Sequence, residues 1–494
     1  MIPYLALYSW PVIAFVIFRK RELAVAVTGC IVAGFLLLPP NVAVDLPMLP
    51  AINKGSVASL SAFIVAAFIL RKRGYNQPAG PTVRRPVGLL PRSPFALLLL
   101  GLLVGGTFMT VVTNLDPLFY GPRRVPALRF YDAFSQVLTM IMMMLPFLLA
   151  RKYLADPESH KKLLLVLCIA GLIYTLPALY EVRMSPQLNM MFYGFRASSF
   201  LQHIRGDGFR PMVFLSHGLG LGLFFSMAFL AALICLKTAT AQTRMRFLMA
   251  AVWIFGTLVL SKTLGPLLLA LLAAPLILFL GVRLQLICAA VIVSLVLAYP
   301  LMRGAGLIPV ERSIALAEKI DYGRARSLEF RLLNEEQLLD KASQRPLFGW
   351  GPQGRMRVYD EEGYDISVTD GRWIISIGMG GWVRYLAEFG ILGFSVIFLA
   401  LRARRFEVDY ATSGICVMLA VNMIDLIPNA GLTPITWLMA GALLGRLELG
   451  VIPKTGAGEA EETPQSPERR TRYSRPRGAP PSGDRQNVYT RSFK

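Results

Sequence analysis

Residues 247–302 read FLMAAVWIFGTLVLSKTLGPLLLALLAAPLILFLGVRLQLICAAVIVSLVLAYPLM. Only Lys262 and Arg283 carry a charge in this stretch, and they divide it into apolar segments near 247–261, 264–281 and 284–302. The segments are close to the length that a helix needs to cross a bilayer, and they lack the alternation of a membrane β-strand. The stretch therefore predicts three consecutive spanning helices joined by very short turns.

The rest of the chain repeats this pattern. It is 55% hydrophobic and only 16% charged, with a mean hydropathy of +0.53. Because a helix satisfies its own backbone hydrogen bonds in lipid, we predict an all-α fold, a polytopic transmembrane bundle of about 12–14 spans. The ten further apolar segments lie near 2–18, 22–40, 55–70, 94–113, 131–150, 163–180, 211–236, 379–401, 410–427 and 431–449.

The orientation of the bundle follows from its basic residues, which favour the cytoplasmic side of short loops. With thirteen spans, the compact basic loops all fall on one side of the membrane. They are 19–21, 71–92, 151–162, 237–246 and 402–405. Placing this side in the cytoplasm puts the longer loops 181–210 and 303–378 outside.

Four regions follow along the chain. Residues 1–302 hold the first ten spans of the bundle, and 379–449 hold the last three. Between them, 303–378 form a large extracytoplasmic (periplasmic) loop with an amphipathic helix within 311–342. Residues 450–494 are rich in Pro, Gly, Ser and Arg, a composition typical of a disordered segment, and we predict a basic cytoplasmic tail.

The net charge of +21 is distributed unevenly. Many of the basic residues lie in the predicted inner loops and tail, where anionic lipid accounts for them. Twelve others lie from Arg303 to Arg384, mostly in the predicted outer loop, and this bias against the positive-inside rule predicts an anionic ligand. No nucleic-acid-binding module is visible. There is also no P-loop and no metal-ligand spacing, so we expect no cofactor and no metal site.

Cations near the predicted outer face are the first candidates for a site. Arg210 and His217 are seven residues apart, about two helical turns, and should share one face of a span that begins near 211. Arg324 and Arg331 have the same spacing in the loop helix, and Lys262 lies between two spans. Arginine binds a diphosphate in bidentate fashion. The alternative for each cation is an interfacial side chain in contact with headgroups or solvent.

Carboxylates and aromatic residues complete the set of candidates. Asp370 is our choice for the base that deprotonates a sugar hydroxyl, with His217 as the alternative. The other substrate-binding candidates are Arg372, Trp373, Trp382 and Glu388. Tryptophan rings stack on sugars, but they also anchor membrane interfaces, so both interpretations stay open.

These motifs, in this order, resemble those of the bacterial O-antigen ligase and Wzy-type polysaccharide polymerase superfamily. An Arg-Pro motif opens a span in 208–218, and Ser261-Lys262 lies between two spans. The long loop carries Arg331-Leu-Leu-Asn and then RPLFGWG at 345–351, and EFGILG follows at 388–393. The resemblance extends over roughly 195–400.

The resemblance implies a membrane glycosyltransferase of the GT-C kind that uses neither metal nor nucleotide sugar. Its donor would be a glycan on undecaprenyl diphosphate, and its site would open to the periplasm of the inner membrane. By this resemblance, Arg210 and Arg331 would hold the donor diphosphate and stabilise the leaving group. The implied partners are the lipid bilayer and, in the same pathway, a chain-length regulator and a flippase.

One departure from the family pattern distinguishes ligases from polymerases. Ligases of the family carry a His-Asn pair about nine residues before the final Glu, and here Met379-Gly380 stand in that place. We therefore expect a polymerase of O-antigen, capsule or exopolysaccharide repeat units. The alternatives are a ligase that transfers glycan to a lipid or protein, and a flippase or exporter of lipid-linked glycan. An exporter needs a site near the midplane of the membrane, whereas the candidates cluster near one face.

Overall fold

The computed structural model describes residues 1–45, 50–72, 88–206, 208–309, 311, 314–315, 318–319 and 322–451. Within these residues the regular secondary structure is helical apart from short two- and three-residue strands that pair into hairpins. The prediction of an all-α polytopic bundle is confirmed. The predicted tail from residue 452 onward lies outside the described residues.

The helices, in chain order, are α1 Ile2–Lys20, α2 Leu23–Leu37, α3 Lys54–Lys72, α4 Pro94–Val112, α5 Phe130–Tyr153, α6 Pro157–Met184, α7 Leu188–Tyr193, α8 Gly218–Thr238, α9 Ala241–Leu260, α10 Leu264–Phe279, α11 Val282–Gly304, α12 Tyr322–Ser343, α13 Arg372–Leu401, α14 Ala403–Phe406, α15 Tyr410–Asp425 and α16 Pro434–Leu449. The strands pair as β1 Ala43–Val44 with β2 Ile52–Asn53, β3 Leu118–Tyr120 with β4 Arg123–Val125, and β5 Ile204–Arg205 with β6 Gly208–Phe209.

Each of the thirteen predicted spans coincides with a helix, and α7, α12 and α14 are additional. Eight of the described helices are long and apolar enough to cross a membrane. Four predicted boundaries were wrong. The helices predicted from 163 and 247 begin at Pro157 and Ala241. The helix predicted from 211 begins at Gly218, and the helix predicted from 379 begins at Arg372, so the insert between α11 and α13 ends earlier than its composition suggested.

Helix α8 lies at the centre of the bundle. In its most apolar window 83% of the residues are buried, compared with 28% for α1 and for α9. It packs against α6, α9, α10 and α15. Other helices therefore surround α8, whereas α1 and α9 leave most of their residues unburied.

Loops that are far apart in the sequence meet on one face of the bundle, which we call the insert face. Asn41, between α2 and α3, donates to the carbonyl of Ala197, between α7 and α8 (2.7 Å). Lys262, between α9 and α10, donates to the carbonyl of Arg205 (2.8 Å). The insert, from Ala305 to Gly371, contacts the α15–α16 loop at this face through Pro428.

Helix α13 is broken in its middle. Gly381 has φ 65° and ψ −166°, a conformation outside the helical region. A break leaves carbonyls of the first half and N–H groups of the second half without helical partners, and lipid offers them none. The break therefore requires polar groups from elsewhere in the protein.

Residues 346–351 of the insert supply those groups. The N–H groups of Trp350 and Gly351 donate to the carbonyls of Gly378 (2.8 Å) and Met379 (2.9 Å). On the other side of the break, Trp382 N–H donates to the Pro346 carbonyl (2.8 Å). This segment, the PLFGWG loop, thus continues the hydrogen bonding of α13 across its interruption.

The close approach of the two backbones depends on glycine. A Cβ on Gly381 would lie 2.3 Å from the Leu347 backbone, and one on Gly349 would lie 2.6 Å from the backbone nitrogen of Gly380. Gly349 also has a positive φ of 65°. Two glycines that face each other therefore allow the PLFGWG loop to enter the break.

Arg355 fixes the insert to the α4–α5 connection. Its guanidinium is fully buried and donates to the carbonyls of Asp116 (2.9 Å) and Pro126 (2.8 Å) and to Asn114 Oδ1 (3.2 Å). Asn114 in turn donates to the Gly349 carbonyl (3.0 Å). Arg355 and Asn114 consequently hold the insert against the connection between α4 and α5.

A side chain at the break should destabilise the protein. Gly381→Ala places an alanine in a region of φ and ψ that only glycine populates, which costs about 1–3 kcal/mol, and the contact with Leu347 adds to this. We expect the melting temperature of the purified protein in detergent to fall by several degrees, as measured by intrinsic fluorescence.

Gly256→Ala is the matched control, because Gly256 lies inside α9 and a Cβ there meets nothing within 4 Å. This variant should keep or raise the melting temperature. Equal melting temperatures for the two variants would contradict the role given to Gly381.

Candidate functional site

Arg331 and Asp370 form an ion pair on the insert face. Arg331, on α12, has its Nε 3.3 Å from Asp370 Oδ2, just before α13 begins. Its Nη1 also donates to the Pro428 carbonyl (3.3 Å). Both side chains are about one-third exposed (33% and 36%), so solvent screens the pair and a ligand can reach it. The pair brings together two of the residues predicted to be catalytic.

Arg210 is buried in the segment that precedes α8. Its N–H donates to the His203 carbonyl (2.7 Å), and His203 Nδ1 lies 3.2 Å from the Arg210 carbonyl. The stem of Arg210 lies on Gly218, where a Cβ would come within 2.5 Å of Arg210 Cδ. Both its backbone and its side chain are thus held in place.

The predicted helical spacing of Arg210 and His217 was wrong, because residues 210–217 are not helical. The backbone leaves the helical region at Val213, which has a positive φ of 52°, so α8 cannot extend back through this residue. Glu181 of α6 holds the same segment, because its Oε2 accepts the N–H groups of Met212 (2.8 Å) and Val213 (2.7 Å). Sequence reasoning missed Glu181, although an acidic residue near the end of an apolar span was a signal that it had a buried partner.

His217 caps α8 and is neutral at pH 7. Its Nδ1 accepts the Leu219 N–H (3.1 Å), so the ring carries its proton on Nε2. The pKa of His217 is lowered to about 4. Burial is the main cause, and His203 and the positive charges of Arg210, Arg205 and Arg331 act in the same direction. With Nδ1 occupied, His217 offers an N–H donor rather than a base.

His217 has both Arg210 and Arg331 in its surroundings. Arg210 and Arg331 both lie near enough to lower the pKa of this histidine. His203, which sequence reasoning missed, lies with its ring 5.2 Å from that of His217. Two cations, two neutral imidazoles and one carboxylate therefore meet on the insert face. We call this set the arginine cluster.

Lys262 lies beside the arginine cluster. It is exposed, has φ 52°, and its ammonium donates to the Arg205 carbonyl while facing Gly208. It therefore borders the β5–β6 hairpin that leads into Arg210. The side chain of Arg324 lies outside the described part of the structure.

Arg372 and Glu388 form a buried ion pair rather than an exposed site. Arg372 Nε lies 2.5 Å from Glu388 Oε1, and Ser376 donates to Glu388 Oε2 (3.1 Å). Arg384, from the second half of α13, lies 3.6 Å from the same Oε2. Glu388 thus joins the two halves of the broken helix, a role that sequence spacing did not reveal.

The prediction that Trp373 stacks on a sugar is wrong for this state. Its ring is fully buried, and Nε1 points to Glu335 Oε1 at 3.4 Å. The ring meets Tyr299 edge-to-face at 5.1 Å. Trp382 is only half-buried and packs on Tyr385. Of the two tryptophans, only Trp382 keeps an accessible surface.

The arrangement suits an anionic group. Arg210 and Arg331 bring positive charge from two separate segments, and His217 adds an uncharged N–H donor. Such donors stabilise charge that develops on a phosphate oxygen. Asp370 is the carboxylate of the cluster and can accept a proton. In the part of the chain that the structure describes, no three His, Cys, Asp or Glu side chains are grouped to hold a metal ion.

The chain matches a known protein family over part of its length. Residues 249–398 match the family model for O-antigen ligase. The match confirms, over this segment, the resemblance to the O-antigen ligase and Wzy-type polymerase superfamily, and supports a membrane glycan enzyme of that type. The segment contains Lys262, Arg331 and Asp370, whereas Arg210 and His217 precede it. No curated protein matches the chain.

The lowered pKa of His217 makes stability depend on pH. Between the unfolded value of 6.5 and the folded value of about 4, the unfolded chain binds a proton that the folded protein does not. Acidification across this range should therefore lower the free energy of unfolding by up to about 3 kcal/mol. His217→Asn keeps a capping side chain but removes this titration.

The measurement is chemical unfolding of both proteins at pH 7 and pH 4.5. We expect the wild type to lose more stability on acidification than His217→Asn does. An identical loss in the two proteins would show that His217 titrates normally.

Glu181→Gln should loosen the segment that carries Arg210. The amide can place its NH₂ group against N–H donors that now face a carboxylate oxygen, which costs about 1–3 kcal/mol. We expect a lower melting temperature and faster tryptic cleavage at Arg196 or Arg205. Glu158→Gln is the control, because Glu158 is exposed and pairs only with Lys161 among the ion pairs of the described residues. Cleavage at the wild-type rate in Glu181→Gln would contradict the assignment.

Proposed function

We propose that this chain, whose residues 249–398 match the O-antigen ligase family, polymerises oligosaccharide repeat units carried on undecaprenyl diphosphate. The product would be a surface polysaccharide such as O-antigen, capsule or exopolysaccharide. The observation that carries the proposal is the arginine cluster, in which Arg331 pairs with the Asp370 carboxylate and both Arg331 and Arg210 lie in the surroundings of His217.

The donor diphosphate binds to Arg210 and Arg331 in this proposal. Two guanidinium groups from separate segments can engage its two phosphates, and each charge-assisted contact strengthens as negative charge develops. Since Arg331 is paired with Asp370, a bound phosphate takes the place of the Asp370 carboxylate in a partly exposed ion pair. Lys262 lies near the same face and adds positive charge.

The chemical step is a transfer at the anomeric carbon of the donor. A hydroxyl of the acceptor sugar attacks this carbon, and its proton passes to the Asp370 carboxylate. The bond between the anomeric carbon and the phosphate oxygen breaks, and undecaprenyl diphosphate leaves with the electron pair. Arg210 and Arg331 stabilise that charge, and Asp370 acts as general base. No metal or nucleotide takes part.

The absence of the His-Asn pair favours polymerase over ligase. Met379 and Gly380 occupy that position and lie at the break in α13. A ligase that transfers glycan to a lipid or protein is the second candidate, favoured by the description of the matched family. The two differ in the acceptor, and both use the arginine cluster for the donor.

Location follows from the same proposal. The insert face would open to the periplasm and the chain would lie in the bacterial inner membrane, because the basic loops favour the cytoplasmic side. The chain-length regulator and the flippase of the same pathway would be its partners there.

Deletion of the gene and complementation test the proposal. We expect the deletion strain to show single repeat units in place of long chains on a surface-polysaccharide gel. Arg210→Ala, Arg331→Ala and Asp370→Asn should each restore less than about a hundredth of the polymer, since one charge-stabilising donor is worth about 10²–10³ in rate.

Arg326→Ala is the matched control, because Arg326 lies on the same helix as Arg331 and is exposed. It should restore polymer fully at equal protein level. Full-length polymer that stays on the carrier and never reaches its acceptor would identify a ligase instead. An unchanged glycan profile in the deletion strain would overturn both functions.

A further inference from the structure

A cavity of about 150 Å³ lies between α4, α5, α13 and α16. Arg372, Arg384 and Glu388 line one end of it, next to the break in α13. None of the residues of the arginine cluster lines this cavity. It is therefore a second polar space within the bundle, and the transfer reaction proposed above does not use it.

Two N–H donors on its walls have no hydrogen-bond partner in the structure. They are Gln136 Nε2 on α5 and Trp437 Nε1 on α16. Trp437 is only 3% exposed. Arg384 Nε, on α13, has Glu388 Oε2 at 3.6 Å, which is longer than a normal hydrogen bond. A buried N–H without an acceptor is costly, and native proteins leave few of them. Donors from three helices around one space indicate a ligand with several acceptor oxygens.

The charge of the walls indicates that this ligand is an anion. Arg372 and Arg384 bring two positive charges, and Glu388 neutralises one of them. A buried site with one uncompensated positive charge is unfavourable without an anion. The second half of α13 also begins here, so the positive end of its dipole adds to the same preference.

The rest of the cavity is apolar and opens on the side of the bundle. Met140, Met143 and Met144 line one wall. Met143 is 37% exposed, and Thr139, its neighbour on the helix face, is exposed as well. Methionine side chains adapt their shape to flexible apolar groups. An apolar chain attached to the anion can therefore leave the cavity past Met143 into the lipid.

We propose that this cavity binds the phosphate ester of a lipid, with one negative charge on the phosphate and with its apolar chain lying past Met143. Its volume of about 150 Å³ is far above what a single water molecule needs, so a phosphate group has room there. A membrane phospholipid and a polyprenyl phosphate share this chemistry. The site stands on the geometry of the cavity and is independent of glycan transfer.

The test is native mass spectrometry of the delipidated full-length protein in detergent. Phosphatidylglycerol and undecaprenyl phosphate are the two probes, and diacylglycerol is the same kind of chain without phosphate. The variant Gln136→Leu/Trp437→Phe removes both unpartnered donors without changing the charge. Trp253→Phe is the control, because Trp253 lies outside the cavity and its Nε1 already donates to Thr175 (2.9 Å).

All titrations are repeated in an Arg331→Ala background, which removes the contribution of the arginine cluster. We expect at least one phosphate lipid to bind about tenfold or more weakly to the double variant, with no change for Trp253→Phe. The lipid that shows this loss identifies the source of the phosphate. If the double variant does not fold, the single Trp437→Phe should show a smaller loss in the same direction.

Equal affinity of the double variant and the wild type for both phosphate lipids would overturn the proposal. So would diacylglycerol bound as tightly as phosphatidylglycerol, since the phosphate would then contribute nothing. Neither result affects the gel assay of surface polysaccharide, which tests the polymerase proposal separately.

Discussion

Backbone hydrogen bonding inside the membrane is the constraint on which the rest of the structure depends. A broken helix in lipid is possible only if the groups at the break find partners, and the PLFGWG loop provides them for α13. At the end of α4, Thr110 and Asn114 donate hydrogen bonds to the carbonyls of Phe348 and Gly349 in the same loop. One short segment of the insert is therefore part of the bundle itself.

The position of the site follows from this arrangement. Because the PLFGWG loop is fixed in α13 and Arg355 fixes the residues after it, the chain on either side of the loop is fixed as well. Helix α12 ends just before the loop, and α13 begins soon after the segment that Arg355 holds. Arg331 and Asp370, 39 positions apart in the sequence, can thus form an ion pair beside Pro428. A freely moving insert would not hold an arginine opposite the segment that carries Arg210.

The sequence allowed prediction of what depends on composition and little of what depends on contacts between distant segments. Each of the thirteen apolar segments chosen by hydropathy coincides with a helix, because burial in lipid acts on each segment separately. The basic residues of the outer loop, which run against the positive-inside rule, led to Arg331. The base chosen from the sequence, Asp370, lies beside it in the structure. The helical spacing of Arg210 and His217 failed, because the backbone between them leaves the helical region at Val213 (φ 52°), where the distant Glu181 accepts the N–H group. The burial of Trp373 was equally invisible, since an aromatic residue at a span end fits an interface as well as a core.

The order of the chain has a consequence for how this protein is made. The PLFGWG loop precedes α13 in the sequence, so the ribosome produces the partner groups before it produces the helix that needs them. When Gly378 and Met379 enter the membrane, residues 346–351 have already been synthesised and can meet their carbonyls at once. The reverse order would leave an interrupted helix in lipid with open hydrogen bonds until its partner arrived. Biosynthesis from the N-terminus therefore suits this architecture, and a circularly permuted chain that begins within α13 would lose that advantage.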